Sequence, residues 1–184
     1  LEIVGFDHRI GIRTGMECTV EEEGSITMPC GLALEVLGVM QEDTVYFTLD
    51  GYVMQVECGK SRYSINCLSA EDFPQFPETT DEKKFELEAE MFEKGIRQSI
   101  LATNPDDPRA FMGGVYMEGL RGEIRFVGTD GHRLAFRRFE TGGANIPEFN
   151  VIVPTKTFSE LIRIMSEAEP EKVQVGVGEK SISL

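Results

Sequence analysis

A repeat at a spacing of about 125 residues constrains the fold of this chain more than any other feature of its sequence. Residues 26–40, ITMPCGLALEVLGVM, match residues 151–165, VIVPTKTFSELIRIM, with the proline, the glutamate and the last methionine identical. A second pair of blocks lies upstream in the same order, where IVGFDHR (3–9) matches FVGTDGHR (126–133) with Gly131 read as one inserted residue. A period of this length is the size of a small domain, not of a solenoid repeat. The sequence therefore predicts parts of two similar domains.

The two copies are unequal at their ends. The second copy has about 40 residues, 84–123, before its matched strand, whereas the first has almost none and begins at Leu1 inside an apolar pattern. We therefore expect that the chain is a fragment, with residues 1–78 as the C-terminal part of a first domain and 79–184 as a second domain that lacks its last strands. A polar stretch with two prolines, DFPQFPETTDEKK (72–84), favours an extended linker between them.

Local patterns predict mostly antiparallel strands with about two helices in each domain, an α+β fold. Alternating apolar and polar residues indicate strands at 1–14 and 123–139, and Asp50-Gly51 is a hairpin signal within 45–57. Further strands are predicted at 61–67 and 111–118, the latter turning at Gly119–Gly122. Helices are predicted after Pro29 and Pro154, because proline is tolerated in a first helical turn, and over residues 89–103.

Taken alone, the net charge of −14 argues against nucleic-acid binding, because proteins that bind nucleic acids usually carry an excess of basic residues. Net charge does not fix the sign of each face, however, so the positions of the Lys and Arg residues matter. Lys94 and Arg97 lie off the apolar side of the helix at 89–103, and Lys156 and Arg163 lie opposite the apolar stripe of the helix at 155–167. Because glutamates are interleaved with them, two ordinary solvated helix faces are the alternative interpretation.

Asp130 and His132, echoed by Asp7 and His8, could form an acid–base pair or a metal site. The sequence contains no zinc-protease helix motif, no phosphate-binding glycine loop and no nucleophile-elbow motif to complete such chemistry. Aspartate at the end of a strand usually caps backbone N–H groups in a turn, so structure or binding is favoured over catalysis. The four cysteines are not at metal-ligand spacing and are expected to be reduced thiols. No enzymatic activity, metal or cofactor is predicted.

Three segments resemble the bacterial DNA sliding clamp, the beta subunit of DNA polymerase III. They are VGTDGHRLA (127–135), IVPTKTFSELIRI (152–164) and CGKSRYSINCLSAEDFPQFP (58–77), and the resemblance runs in order over essentially the whole chain. It implies a DNA clamp fold and a head-to-tail ring of two subunits, each of three similar domains, with helices lining the hole. Such a ring would encircle duplex DNA without reading its sequence and act as a cytoplasmic, nucleoid-associated processivity factor. The implied partners are the polymerase catalytic subunit, the clamp loader and other proteins with a clamp-binding motif.

The resemblance also assigns roles to individual residues. Half of an apolar groove for the clamp-binding peptide motif would be formed by Met112, Thr129, Gly131, His132, Arg133 and Leu134. The family more often has leucine at the position of Met112, a change that an adaptable methionine can accommodate. The residues implied to face DNA are Lys94, Arg97, Arg109, Lys156 and Arg163, and those implied at the subunit interface are Tyr63 and Ile65.

Two other functions stay open at this point. A metal-dependent hydrolase would use the Asp/His pairs and lose divalent-metal binding in Asp130→Ala. An acidic adaptor would bind peptides but form no stable ring on DNA.

Overall fold

The computed structural model describes residues 1–41, 44–76, 83–142, 145–178 and 181–184. The chain divides into two compact units, Leu1–Phe76 and Pro77–Leu184. The expected domain boundary between residues 78 and 79, and the middle of the expected linker, lie outside the described residues. Both units combine α-helix with antiparallel sheet, so the predicted α+β class is confirmed.

The first unit contains seven short strands and one α-helix in its described part. In chain order these elements are β1 (Glu2–Phe6), β2 (Gly11–Gly15), β3 (Ile26–Thr27), α1 (Cys30–Gly38), β4 (Tyr46–Asp50), β5 (Val53–Cys58), β6 (Ser61–Asn66) and β7 (Leu68–Ser69), followed by a 3-10 turn at Ala70–Asp72. β1 pairs with β2, β3 pairs with β7, and β4, β5 and β6 form a three-stranded meander in that order. The Asp50-Gly51 signal is confirmed as the β4–β5 hairpin, with Gly51 in the left-handed region at φ 58°.

In its described part the second unit has a four-stranded sheet, a three-stranded sheet and two α-helices. Its elements are β8 (Lys83–Glu88), α2 (Ala89–Ile100), a 3-10 turn (Ala110–Met112), β9 (Gly114–Leu120), β10 (Glu123–Thr129), β11 (Leu134–Glu140), β12 (Phe149–Pro154), α3 (Thr155–Ala168), β13 (Lys172–Val177) and β14 (Ile182–Ser183). The larger sheet has the order β11-β10-β9-β12 and the smaller one β14-β13-β8. The β9–β10 turn is only two residues long, because Leu120 still pairs with Glu123.

The core of the second unit forms where α2 and α3 pack on the sheets. Phe92 of α2, Phe126 of β10 and Phe158 of α3 are fully buried, with Phe92 edge-on to both other rings at centroid distances of 5.9 and 6.2 Å. Such edge-to-face pairs add about 0.5–1.5 kcal/mol to the stabilisation from apolar burial. The helices thus cover one side of the large sheet and leave its other side to solvent.

The core of the first unit is smaller. It consists of buried Val36, Met54, Val56, Ile65 and Cys67, with partly buried neighbours. Leu1 and Ile3 of this unit are 52% exposed, whereas the residues at the equivalent repeat positions, Ile124 and Phe126, are fully buried. In the second unit these residues are covered by α2, which packs on β10.

The structure corrects the alignment of the two repeats at their first turn. The β1–β2 loop (7–10) and the β10–β11 loop (130–133) are equally long, since Phe6 pairs with Gly11 and Thr129 with Leu134. His8 takes the left-handed position at φ 68° that Gly131 takes at φ 86°. The reading of Gly131 as an inserted residue was therefore wrong, and His8 corresponds to Gly131 rather than to His132.

Candidate functional site

The turn that joins β10 to β11, residues 129–134, contains five of the six residues expected in the peptide groove. The Asp130 carboxylate Oδ1 accepts hydrogen bonds from the backbone N–H groups of His132 at 3.0 Å and Arg133 at 2.9 Å. The Thr129 hydroxyl accepts from the Gly131 N–H at 3.1 Å and donates to the Arg133 carbonyl at 2.8 Å. Two side chains thus satisfy the backbone of the turn and hold its shape.

The geometry of the turn lowers the pKa of the Asp130 carboxyl. The two backbone N–H groups, from Arg133 and His132, and then the Arg133 guanidinium 3.0 Å away lower the pKa of the Asp130 carboxyl from 3.8 to about 2. Asp7 makes the equivalent bonds to the N–H groups of Arg9 and Ile10 at 2.9 and 2.7 Å, and its pKa is lowered for the same reason. Aspartate at this repeat position is therefore a turn residue in both units.

Met112 lies against the same turn although it is 17 residues earlier in the chain. A Cβ atom placed on Gly131 would be 3.8 Å from the Met112 methyl carbon and 4.0 Å from an Arg109 guanidinium nitrogen. The backbone of Met112 is fixed by a bond from its N–H to the Arg109 carbonyl at 2.9 Å and by one from the Asn104 N–H to its own carbonyl at 3.0 Å. The structure therefore places Met112 beside the turn that contains the other five residues implied by the resemblance.

Arg109 was expected to face DNA, and it lies beside this turn. Its guanidinium donates two hydrogen bonds to the two carboxylate oxygens of Asp107, both at 2.9 Å. The Arg109 side chain, followed by its backbone N–H, lowers the pKa of Asp107 to about 2, so the two charges compensate each other. The contact of Arg109 with DNA stays a prediction. Its position next to Gly131 could not be predicted from sequence spacing.

An apolar row on the solvent side of the large sheet leads away from the turn. Phe136, Val127, Tyr116 and Ile152 are directly paired across β11, β10, β9 and β12. Phe136 is 56% and Ile152 44% exposed, and Leu134, at the turn itself, is 66% exposed. The alternation of apolar residues along each strand was the available signal for this surface, but the pairing that aligns them across four strands is not visible in one strand.

The four basic residues expected on the helices all lie on the exposed side of α2 and α3. Arg97 of α2 donates to the Ser166 hydroxyl of α3 at 3.2 Å, so the two helices share one polar surface. We name this surface the helix face and define it by its charged residues, Glu90, Glu93, Lys94, Arg97, Lys156, Glu160, Arg163 and Glu167. Four cations and four carboxylates balance here, so the helix face is neutral in a chain of net charge −14.

The two residues expected at a subunit interface lie on β6, an edge strand of the β4-β5-β6 sheet. Tyr63 is partly buried, while Ile65 is 1% exposed and belongs to the core of the first unit. Among the described residues no strand pairs with the outer edge of β6. An open strand edge presents unpaired N–H and carbonyl groups, to which another chain can bind.

The acid–base interpretation of the Asp/His pairs finds no support in the geometry. The Asp130 carboxylate is used by the turn, and His8 and His132 are not at equivalent positions. Within the described ranges no group of three or more His, Cys, Asp or Glu residues could hold a metal ion. In the same part of the chain, no helix is both long and apolar enough to cross a bilayer.

Repeated α+β units of this kind are also found in solved DNA sliding clamps. The DNA polymerase III beta subunit from Pseudomonas aeruginosa superposes with a TM-score of 0.88 at 27% identity, covering 98% of this chain and 50% of that one. The DNA polymerase sliding clamp from Caulobacter crescentus gives a TM-score of 0.89 at 25% identity, with the same coverage of 98% and 50%. The fold class is therefore the DNA clamp fold.

Sequence comparison gives the family. The family model for the DNA polymerase III beta subunit, N-terminal domain, matches residues 1–77, and that for its central domain matches residues 86–184. The Beta sliding clamp of Escherichia coli K12 is 32% identical over 157 residues, 84% of this chain and 43% of that protein. The Synechococcus elongatus Beta sliding clamp is 29% identical over 168 residues, 90% of this chain and 45% of that protein. The chain belongs to the DNA polymerase III beta subunit family, and it spans about half the length of the curated relatives it matches.

Proposed function

We propose that this chain supplies two domains of a sliding clamp, a non-catalytic processivity factor that encircles duplex DNA in the cytoplasm and tethers a replicative polymerase. The observation that carries the proposal is that the second unit has two separate surfaces, one charged and one apolar. The helix face lies on one side of the large sheet, and the turn 129–134 lies at the end of that sheet with an exposed apolar residue, Leu134. One surface can lie along DNA while the other receives a peptide.

The groove half is suited to a short peptide with apolar side chains. The exposed Leu134 and the partly buried Met112 offer apolar contact, and the hydrogen bonds of Thr129 and Asp130 hold the backbone of the turn in a fixed shape. His132 and Arg133 are exposed at the turn, where a peptide can contact them, and the Arg133 guanidinium is paired with Asp130 at 3.0 Å. The proposed ligands are the clamp-binding motifs of the polymerase catalytic subunit, the clamp loader and other clamp-binding proteins.

Ring closure is proposed to use β6 of the first unit. The open edge of β6 is suited to pairing with a strand of a second subunit, and the partly buried Tyr63 would pack across such a contact. Ile65 supports β6 from inside the unit, because it is too buried to contact a partner directly. The expected assembly is a homodimeric ring.

Primer extension on circular single-stranded template tests this function. The full-length protein, meaning this chain with any flanking sequence, is expected to lengthen the products of its polymerase in the presence of the clamp loader and a trap for free polymerase. Products of unchanged length would contradict the proposal. Peptide binding by the full-length protein without any gain in product length would instead favour the acidic adaptor.

A further inference from the structure

We infer that Glu93, Glu160 and Glu167 attenuate the contact between the helix face and DNA, because they hold Arg97 and Arg163 in ion pairs that a phosphate has to displace. This inference rests on the proposed function, since it takes the phosphate backbone of duplex DNA as the ligand of the helix face.

Each arginine of the helix face is paired with carboxylates of its own helix. Arg97 Nε lies 2.6 Å from a Glu93 oxygen, one turn back along α2. Arg163 contacts Glu160 at 3.1 Å and Glu167 at 3.4 Å, so it has a carboxylate on either side along α3. The pairing with Glu160, and then with Glu167, raises the pKa of Arg163. Both guanidinium groups therefore have anionic partners before DNA arrives.

Arg97 is held by a further contact. Its Nη2 donates to the Ser166 hydroxyl at 3.2 Å, and that hydroxyl donates in turn to the Ile162 carbonyl at 2.8 Å. The guanidinium of Arg97 is thus oriented across the gap between the helices, towards α3. A phosphate that binds Arg97 has to replace the Glu93 contact or share the guanidinium with it.

The two lysines of the helix face differ from the arginines. Within the described residues neither Lys94 nor Lys156 forms an ion pair or a side-chain hydrogen bond, and both are exposed. They can bind phosphate without displacing a carboxylate. Of the four cations of the helix face, two are therefore available and two are occupied.

The consequence is a weak, salt-sensitive contact. Log K for duplex DNA falls by about 0.9 per neutralised phosphate for each log unit of salt, so two available cations give a slope of about −1.8 and four give about −3.6. Exposed ion pairs contribute only about 0–1 kcal/mol, so phosphate can exchange for a carboxylate, but the displaced carboxylate then repels it. A ring held by topology needs no tighter contact, and weak phosphate contacts permit sliding.

Exchange of the carboxylates for amides tests the inference in the full-length protein. In Glu160→Gln/Glu167→Gln, Arg163 becomes available while helix propensity is almost unchanged. We expect the affinity for a short linear DNA duplex at low salt to rise several-fold and the salt slope to steepen by about one unit. Fluorescence anisotropy at a series of salt concentrations measures both, and Glu93→Gln should add a further increase through Arg97.

The matched control is Glu86→Gln/Glu118→Gln, which removes the same net charge outside the helix face. These carboxylates pair with Lys172 at 2.7 Å and with Arg125 at 3.0 Å, on strands β8 and β9. A larger gain in the helix-face variant than in this control supports the inference. An equal gain in both variants overturns it, because net charge alone would then explain the change in affinity. No gain in either variant also overturns it, because the carboxylates would then have no effect on affinity.

Failure of the inference is distinct from failure of the proposed function. If the wild-type protein stays on circular DNA but Glu160→Gln/Glu167→Gln leaves affinity and salt slope unchanged, only the attenuating role of the carboxylates is wrong. If the wild-type protein is not retained on circular DNA at all, the proposed function is wrong.

Discussion

At the scale of single residues, Asp130 shows how one side chain fixes the shape of a turn. Its carboxylate satisfies two backbone N–H groups of the turn, and the same pattern at Asp7 shows that the repeat preserves a turn. Backbone groups at the turn that are already bonded need no rearrangement when a ligand arrives, which lowers the entropic cost of binding.

The lowered pKa of Asp130 predicts how stability depends on pH. Because this pKa is about 2 in the folded chain and 3.8 in the unfolded reference, the charged carboxylate stabilises the fold fully above about pH 4 and progressively less as the pH falls towards 2. Asparagine keeps an acceptor for the turn but cannot titrate. Asp130→Asn should therefore reduce the pH dependence of the unfolding midpoint between pH 4 and 2, measured by urea denaturation.

In Asp130→Asn, Asp107 still makes stability depend on pH in this range, since its pKa is also about 2. The account of Asp130 is contradicted if Asp130→Asn loses stability between pH 4 and 2 as steeply as the unchanged chain does.

Leu134 is predicted to contact the peptide in the groove. Its side chain is 66% exposed, and burial of a leucine side chain contributes about 1.5–3 kcal/mol, roughly tenfold or more in affinity. Leu134→Ser in the full-length protein should weaken binding of a labelled clamp-motif peptide by about tenfold, as measured by fluorescence anisotropy. Leu68→Ser, at a leucine 60% exposed on β7, is the matched control and should bind normally. Equal affinity of both variants for the peptide would show that Leu134 does not contact it.

Residue identities predicted the turn but not its details. Aspartate before a glycine indicates a turn from local chemistry alone, whereas the match of the His-Arg letters misplaced one residue because His8 adopts a conformation usual for glycine. Arg109 shows the same limit. Its pairing with Asp107 and its approach to Gly131 depend on how the 3-10 turn packs, which sequence spacing does not encode.

At the scale of elements, hydrophobic period and proline position predicted most helices and strands. The helix expected to reach residue 103 ends at Ile100, because the N–H groups of Ala102 and Thr103 bond to the carbonyls three residues back and tighten the chain into a 3-10 turn. The pattern could not predict which strands would be covered. β1 and β10 have similar sequences, yet only β10 is buried, since its cover comes from α2, some 30 residues away.

A pair of glycines at equivalent repeat positions tests this difference. A Cβ on Gly128 would lie 2.1 Å from the Ser99 carbonyl oxygen at the end of α2, whereas a Cβ on Gly5 would meet nothing within 4 Å. Gly128→Ala should destabilise the 184-residue chain by about 2 kcal/mol or more, because the backbone of α2 has to move. Gly5→Ala should be neutral or slightly stabilising, because glycine in a strand is costly.

Thermal denaturation followed by circular dichroism measures both glycine variants. A Gly128→Ala chain that melts at the same temperature as the Gly5→Ala chain would show that α2 does not approach β10 as described.

At the scale of the whole molecule, net charge is a poor guide to function. The chain is strongly acidic, yet the helix face is neutral and contains four cations, so an acidic chain can still present a surface that is not acidic. The repeat predicted the two-unit organisation, and the resemblance to the sliding clamp implied a ring. Neither the sequence nor the fold of the units establishes ring closure, because closure depends on contacts between subunits.

Retention on DNA of defined topology is the most direct test of the central claim. The full-length protein, loaded by the clamp loader onto a nicked circular plasmid, is expected to co-elute with the DNA in gel filtration. It should leave the DNA once a restriction enzyme has made the circle linear, because topology rather than affinity retains it. Loss from the circular and the linear form at the same rate would contradict the proposal that this chain is part of a closed clamp.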